Sequence, residues 1–170
     1  DRLEFDLGAE LTAEIQQVAR HYQVTINTLM QTVWGILLQK YNGSQDVVFG
    51  SVVSGRPAEI PNVENMIGLF INTIPVRISA QGDRVFSDVM KDNQQKSIAS
   101  NAYDTYPLYE IQGLTELKQD LINHIMIFEN YPVEEQIEQL GGSQASGFRI
   151  TGVESVEQTN YDFNLVVMPA

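Results

Sequence analysis

The fold is decided by residues 25–53, which read TINTLMQTVWGILLQKYNGSQDVVFGSVV. The first half predicts a long helix, because Thr25 can act as its N-cap and apolar residues recur at helical spacing as far as Tyr41. Asn42-Gly43-Ser44 predicts the end of this helix. The nearly continuous apolar run from Asp46 to Val53 then predicts a strand that is covered on both faces. A buried strand directly after an amphipathic helix indicates helices packed on a sheet.

Two more helices are predicted on either side of this pair. Apolar residues at helical spacing between Leu11 and Tyr22 predict the first, with Thr12 as its N-cap. The second is predicted from about Val85 to Tyr103, with Asp83 as its cap. The short connection before the long helix also fits a DNA-binding helix–turn–helix. We do not favour the DNA-binding interpretation, since most of the long helix is apolar and expected to pack in the core. Its only cation is Lys40.

Four further strands complete the predicted sheet of about five. The first runs from Leu69 to Ile78, where Pro75 requires an edge strand or a bulge. The other three are predicted at residues 122–128, 148–153 and 161–167. Residues 57–65 and 130–147 are predicted to be surface loops. The sequence therefore predicts an α/β fold, a layered sheet with helices packed on it, in one domain over residues 1–170.

Composition narrows the classes of function. Of 170 residues, 43% are hydrophobic and 19% are charged, as in a globular domain. The net charge of −12 argues against general binding to nucleic acid or to anionic membrane surfaces. The absence of cysteine excludes disulfides, thiol nucleophiles and cysteine metal sites, and it is consistent with a cytoplasmic protein. No apolar run approaches the ~18 residues of a membrane span.

The common chemical motifs are incomplete. Residues 50–57 superficially resemble a phosphate-binding loop, but Arg56 and Pro57 stand where Lys and Ser or Thr are required. The two histidines, His21 and His124, lack the neighbouring ligands of a zinc site. His124 interrupts an apolar segment, which favours a hydrogen-bonded structural histidine over a catalytic base. We therefore predict neither a metal site nor a complete set of catalytic residues.

Two segments in the middle of the chain carry a specific resemblance. Residues 41–57 and 66–77 resemble the fourth and fifth signature motifs of condensation domains in nonribosomal peptide synthetases, in matching order and separation. The positions that carry it are Tyr41, Asp46, Gly50, Gly55 and Arg56 in the first segment, and Gly68, Phe70, Asn72 and Arg77 in the second. Residues 103–111 resemble the sixth motif more loosely, chiefly at Pro107. Residues 120–132 depart from the seventh.

This resemblance implies half of a two-lobed enzyme. Each lobe of the family is similar to chloramphenicol acetyltransferase, and the catalytic motif His-His-x-x-x-Asp-Gly lies in the N-terminal lobe. The present chain has no adjacent histidines, so it resembles the C-terminal lobe of a longer polypeptide, with no catalytic residue of its own and no activity alone.

The implied partners are the N-terminal lobe, donor and acceptor peptidyl carrier domains, and a neighbouring adenylation domain. The carriers' phosphopantetheine arms would hold the substrates, and this lobe would bind no cofactor directly. The implied reaction is peptide bond formation in the biosynthesis of a peptide antibiotic.

Individual roles follow from the same resemblance. Arg56 is expected either to pair across the lobes with the aspartate of the catalytic motif or to serve a salt bridge at the surface or within this lobe. Asn72 is expected either to tie two strands together or to line the substrate channel, because a buried amide needs partners. Tyr103 and Asp104 are candidates for the wall of the cleft. Structural roles are expected for Gly50, Gly55, Gly68 and Arg77.

Two alternatives stay open. The chain could be a carrier-protein interaction module of the same fold without chemistry of its own, or half of a heterocyclisation or epimerisation domain. An epimerisation domain would show Gly-Trp-Phe-Thr where residues 68–71 read Gly-Leu-Phe-Ile, which counts against that alternative. The amino acids that are joined and the chirality of the donor are not specified by this half.

Overall fold

The computed structural model describes residues 2–54, 56, 60–129 and 159–169, and it confirms the predicted α/β architecture. The helices are α1 (Gly8–Tyr22), α2 (Ile26–Asn42), α3 (Phe86–Ser100) and the short α4 (Leu108–Gly113). The strands are β1 (Asp46–Val53), β2 (Asn72–Ser79), β3 (His124–Phe128) and β4 (Phe163–Val167). The strand predicted at residues 148–153 lies outside the described residues.

The four described strands form one mixed sheet in the order β2-β1-β3-β4. β1 and β2 pair antiparallel over their whole length, from Asp46 opposite Ser79 to Val53 opposite Asn72. The pairs β1–β3 and β3–β4 are parallel, so these three strands end at the same edge of the sheet. Within the described sheet β2 is an edge strand, which is where Pro75 was predicted to be tolerated.

The core lies between the sheet and helices α2 and α3. Phe49, Ile78, Val89 and Met126 form its buried centre, and a second cluster joins α1 to α2 and α3. α2 packs so close to β2 that a Cβ on Gly35 would lie 2.4 Å from a side-chain carbon of Ile78. Close packing of this kind makes the interior sensitive to a single added methyl group.

Helix boundaries follow the sequence where a capping side chain acts and depart from it elsewhere. The Thr25 hydroxyl accepts from the backbone N–H of Thr28 at 3.0 Å, as predicted for the N-cap of α2. The cap predicted at Thr12 is wrong, since α1 begins at Gly8 and the Thr12 hydroxyl donates to the Gly8 carbonyl from within the helix. Just before α1, the Asp6 carboxylate accepts from the Gly8 N–H at 2.7 Å.

The predicted limits of α3 also need correction. The helix begins at Phe86 after an extended Val85, with no side-chain cap, so Asp83 does not cap it. It ends at Ser100, and residues 101–103 continue as a tighter 3₁₀ turn that leads into the short helix α4. None of the helices that the structure describes is long and apolar enough to span a bilayer.

Candidate functional site

Arg56 organises the loop that precedes β2. Its guanidinium donates to the carbonyl oxygens of Val63 and Met66, the latter at 3.2 Å, and it lies over the Phe70 ring at 4.1 Å from the centroid. A cation placed over an aromatic face is attracted by the ring quadrupole. Within the described part of the chain Arg56 forms no ion pair. In this lobe the arginine therefore holds the loop at residues 63–70 through carbonyl groups and one ring.

Asn72 joins the start of β2 to the turn that follows α3. Its side-chain amide donates to the carbonyl of Asp104 at 2.7 Å and to the carbonyl of Tyr106 at 2.9 Å. Both protons of the amide are thus used, and the partners lie in a turn and not in a neighbouring strand. The bonds connect the segment that resembles the fifth motif to residues 103–111, the segment that resembles the sixth.

The two cleft candidates differ in environment. Tyr103 is 67% exposed, so its ring is open to solvent or to a partner. Asp104 is partly buried, and its Oδ1 atom has no hydrogen-bond partner among the described residues. Burial raises the pKa of the Asp104 carboxyl above its ordinary value because desolvation penalises the charged form. The backbones of both residues are held, because the Tyr103 carbonyl accepts from the Tyr106 N–H at 2.8 Å and the Asp104 carbonyl accepts from Asn72.

The remaining motif residues lie at the other end of the β1–β2 pair. Arg77 Nε donates to Asp46 Oδ1 at 2.9 Å, in a solvent-exposed cross-strand ion pair. The hydrogen bond from Arg77 lowers the pKa of the Asp46 carboxyl. Tyr41, near the end of α2, is 83% exposed. Eight strand residues, roughly 25 Å of chain, separate this end from Arg56, so the motif residues do not form a single site.

Two of the motif glycines are visible in the structure. A Cβ on Gly50 would lie 2.8 Å from Ile125 Cγ2, so its role is the tight packing of β1 against β3. A Cβ on Gly68 would lie 3.2 Å from the Phe70 ring, which is the ring beneath Arg56. Gly55 lies outside the described residues.

His124 belongs to the structural framework and not to the candidate site. Its Nε2 accepts from the indole N–H of Trp34 at 3.1 Å, and its ring packs against those of Phe49 and Phe163. Burial lowers the pKa of His124, so the neutral ring that the Trp34 bond requires is favoured. The predicted hydrogen-bonded structural histidine is what the structure shows.

Sequence reasoning missed the contacts that give the site its shape. Val63 and Met66 contribute backbone carbonyls, which no side-chain pattern signals. The only sequence signal for the stacking of Arg56 on Phe70 was that the two residues lie in neighbouring motif segments. In the described ranges no group of three or more His, Asp or Glu side chains comes together as a metal site would require. The cluster around Arg56 and Asn72 can position backbone and present charge, but it contains no nucleophile with an adjacent base.

Comparison with known proteins assigns the family. The condensation domain family model matches residues 1–170. A mycosubtilin synthase of Bacillus subtilis is 58% identical over 164 residues, which are 96% of this chain and 6% of that protein. Gramicidin S synthase 2 of Brevibacillus brevis is 48% identical over 165 residues, 97% of this chain and 4% of that protein.

The fold has solved counterparts. The first condensation domain of the calcium-dependent antibiotic synthetase, in complex with a substrate analogue, matches with a TM-score of 0.63 at 18% identity. The match covers 72% of this chain and 27% of that one. The chain therefore spans a small part of the relatives it matches. The family model and the sequence identities show that the chain belongs to the condensation domain family of nonribosomal peptide synthetases.

Proposed function

We propose that this chain is the C-terminal lobe of a two-lobed condensation domain, which forms the peptide bond between two carrier-tethered substrates. The observation that carries the proposal is the clustering of motif segments at one end of the β1–β2 pair. Arg56 binds the loop at residues 63–70, and Asn72 binds the turn at residues 104–106. Segments far apart in sequence are thereby held together at one surface, as the wall of a cleft requires.

The partners and substrates are part of the same proposal. The N-terminal lobe would lie against this surface, and donor and acceptor carrier domains would present substrates on phosphopantetheine arms, beside an adenylation domain of the same cytoplasmic synthetase. The similar proteins are named as synthases of mycosubtilin and gramicidin S, which supports a peptide antibiotic as the product class. No cofactor binds directly to this lobe in the proposed arrangement.

The reaction defines what this lobe must supply. The acceptor amine attacks the donor thioester, so a C–N bond forms, the C–S bond breaks, and the amine proton passes to a base while the carrier thiol is released. The histidine of the other lobe would be that base. This lobe would help to orient the two arms. Holding the amine and the thioester in the right geometry makes their reaction effectively unimolecular.

Arg56 has a role in both lobes in this proposal. Its contacts with the described residues are to neutral groups, so its positive charge could serve the aspartate of the catalytic motif across the cleft. Such a pair would be shielded from water, and removing one partner leaves the other charge uncompensated, at a cost of about 3–5 kcal/mol. Without the pair, the aspartate would no longer hold the catalytic motif in place, and the histidine would be displaced.

The test uses the complete two-lobed domain with loaded donor and acceptor carriers, and it measures amide formation by mass spectrometry. Arg56→Ala should lower the rate at least ~10-fold, which corresponds to about 1.4 kcal/mol. Arg56→Lys should recover only part of it, because lysine lacks the planar fork of arginine. Arg77→Ala, an exposed arginine at the far end of the same strands, is the matched control and should leave the rate within about twofold.

Three outcomes separate the candidate functions. Unchanged amide formation with Arg56→Ala removes the role across the lobes. Amide formation by the isolated 170-residue chain contradicts the assignment of catalysis to the other lobe. A two-lobed protein that binds loaded carriers yet forms no amide would instead be the non-catalytic interaction module.

A further inference from the structure

The side of α2 that meets the sheet carries two buried glutamines. Gln31, Gly35 and Gln39 lie four residues apart along one face of the helix, and all three are buried. Gly35 packs against Ile78 of β2, so the glutamines flank the point where the helix lies closest to that strand. A buried side-chain amide is costly unless its polar atoms are hydrogen-bonded. Two such amides on one helix face indicate a role beyond hydrophobic burial.

The two glutamines bind opposite ends of the β1–β2 pair. Gln39 Nε2 donates to the backbone carbonyls of Gln45 and Ile78, each at 3.0 Å. Gln31 Nε2 donates to the Ser51 hydroxyl at 3.0 Å, in the C-terminal half of β1. The eight residues from one glutamine to the other span ~12 Å of helix. α2 is therefore joined to backbone at one end of the strand pair and to a side chain at the other.

The bond to Ser51 belongs to a buried chain of polar groups that reaches α3. Gln31 Oε1 accepts from Asn93 Nδ2 at 3.4 Å. The same nitrogen lies 3.3 Å from the Thr28 carbonyl and 3.3 Å from the Thr32 hydroxyl. Ser51, Gln31 and Asn93 are 3–4% exposed. Hydrogen bonds are directional and apolar contacts are not, so this chain selects one position of α2 and α3 over β1.

On β1, the polar contact lies close to the candidate site. Phe49 and Ser51 both face the helices, and Phe49 belongs to the apolar centre of the core. Ser51 lies two residues before Val53, which pairs with Asn72, and five residues before Arg56. A shift of Ser51 relative to α2 would therefore move the end of the strand pair that carries the candidate site.

We propose that Gln31 is a positioning residue, which holds the end of β1 so that Arg56 and Asn72 keep their places in the candidate site. Ser51 is its anchor on β1, and Asn93 orients the amide by binding its oxygen. Replacing both members of a buried polar pair with apolar groups is often neutral for stability, so the pair serves position more than stability. The link to amide formation rests on the proposed function, whereas the fixing of β1 does not.

The first test uses the 170-residue chain. The double variant Gln31→Met/Ser51→Ala removes both polar partners, so its melting temperature should change by less than about 4 °C. Backbone hydrogen exchange at residues 52–54 and 72–74 should still become at least ~5-fold faster relative to exchange in β3. Gln39→Met is the matched control, because it makes the same change on the same face of α2. It leaves two backbone carbonyls without that donor, so it should lower the melting temperature and leave the relative exchange unchanged.

The second test measures amide formation by the complete two-lobed domain with loaded carriers. Gln31→Met/Ser51→Ala should lower kcat at least ~10-fold, because misplaced groups slow the reaction of bound substrates. KM for the loaded acceptor carrier should stay within about twofold, since docking of the carrier does not depend on this contact. Gln39→Met should leave kcat within about twofold at a temperature where it is folded. Ser51→Ala alone removes the anchor and replaces the double variant if that one does not fold.

Three results would overturn the proposal. Exchange at residues 52–54 could rise no more than in β3, Gln39→Met could produce the same selective change, or an active two-lobed domain could keep its kcat with Gln31→Met/Ser51→Ala. A parent two-lobed domain that forms no amide would instead overturn the proposed function. Selective exchange in the 170-residue chain would then still show that Gln31 fixes the end of β1.

Discussion

Asn72 offers the sharpest test of how the candidate site is assembled, because one side chain joins β2 to the turn after α3. Asn72→Ala removes two hydrogen bonds, to the carbonyls of Asp104 and Tyr106. Each bond contributes about 1 kcal/mol net, so the variant should lose ~2 kcal/mol of unfolding free energy. The measurement is urea denaturation of the 170-residue chain at about pH 7, followed by circular dichroism.

Asn72→Asp sharpens the same test, because it keeps the shape of the side chain and replaces its donor with a carboxylate. Two carbonyl oxygens would then face a negative charge, so the pKa of the new carboxyl should be raised. A raised carboxyl pKa costs stability above the unfolded value of ~3.9, by about 1.4 kcal/mol for each pH unit of the shift. Asn72→Asp should therefore be less stable than Asn72→Ala at about pH 7, and it should regain stability relative to it as the pH falls towards ~4.

Asn65→Asp is the matched control. Asn65 is exposed, and its substitution adds the same negative charge to the same chain. It should change the unfolding free energy by less than about 0.5 kcal/mol. The reasoning is refuted if Asn72→Ala is as stable as the parent, or if Asn72→Asp shows the same pH dependence as Asn65→Asp. Either result would mean that the two hydrogen bonds do not hold the turn.

Two further predictions concern the interior. Gly50→Ala should destabilise the chain by about 1–3 kcal/mol, because its Cβ would lie 2.8 Å from Ile125 Cγ2 and 2.9 Å from Thr73 Cγ2; thermal melting measures this, and an unchanged melting temperature would show that β1 and β3 can move apart. His124→Gln keeps an acceptor for Trp34 but cannot titrate, and burial lowers the pKa of His124 below its unfolded value of ~6.5. The unfolded parent takes up the proton more readily, so the parent should lose stability relative to the variant as the pH falls from ~6.5 to ~5 in urea denaturation; identical pH dependence of the two proteins would contradict this.

Much of the framework was predictable because it depends on local patterns. The helical spacing of the apolar residues predicted α2. Thr25 was predicted as its N-cap because a hydroxyl can accept from the first free N–H groups of a helix. The run from Asp46 to Val53 is buried at three successive residues, as a strand covered on both faces must be. Pro75 requires an edge because it has no N–H for a second neighbour. The motifs, read together, indicated the family.

The site depended on contacts that no local pattern contains. Asn72 binds carbonyls 32 and 34 residues away, and Trp34 binds His124 across 90 residues, so only the folded chain selects these partners. Arg56 uses backbone carbonyls, which every residue carries and which therefore leave no mark in a sequence. The caps predicted for α1 and α3 were wrong because both helices begin without a capping side chain, so a polar residue near the start of an apolar stripe did not mark the first turn. Periodicity and side-chain type thus determined the elements, whereas chain packing alone decided which polar groups meet.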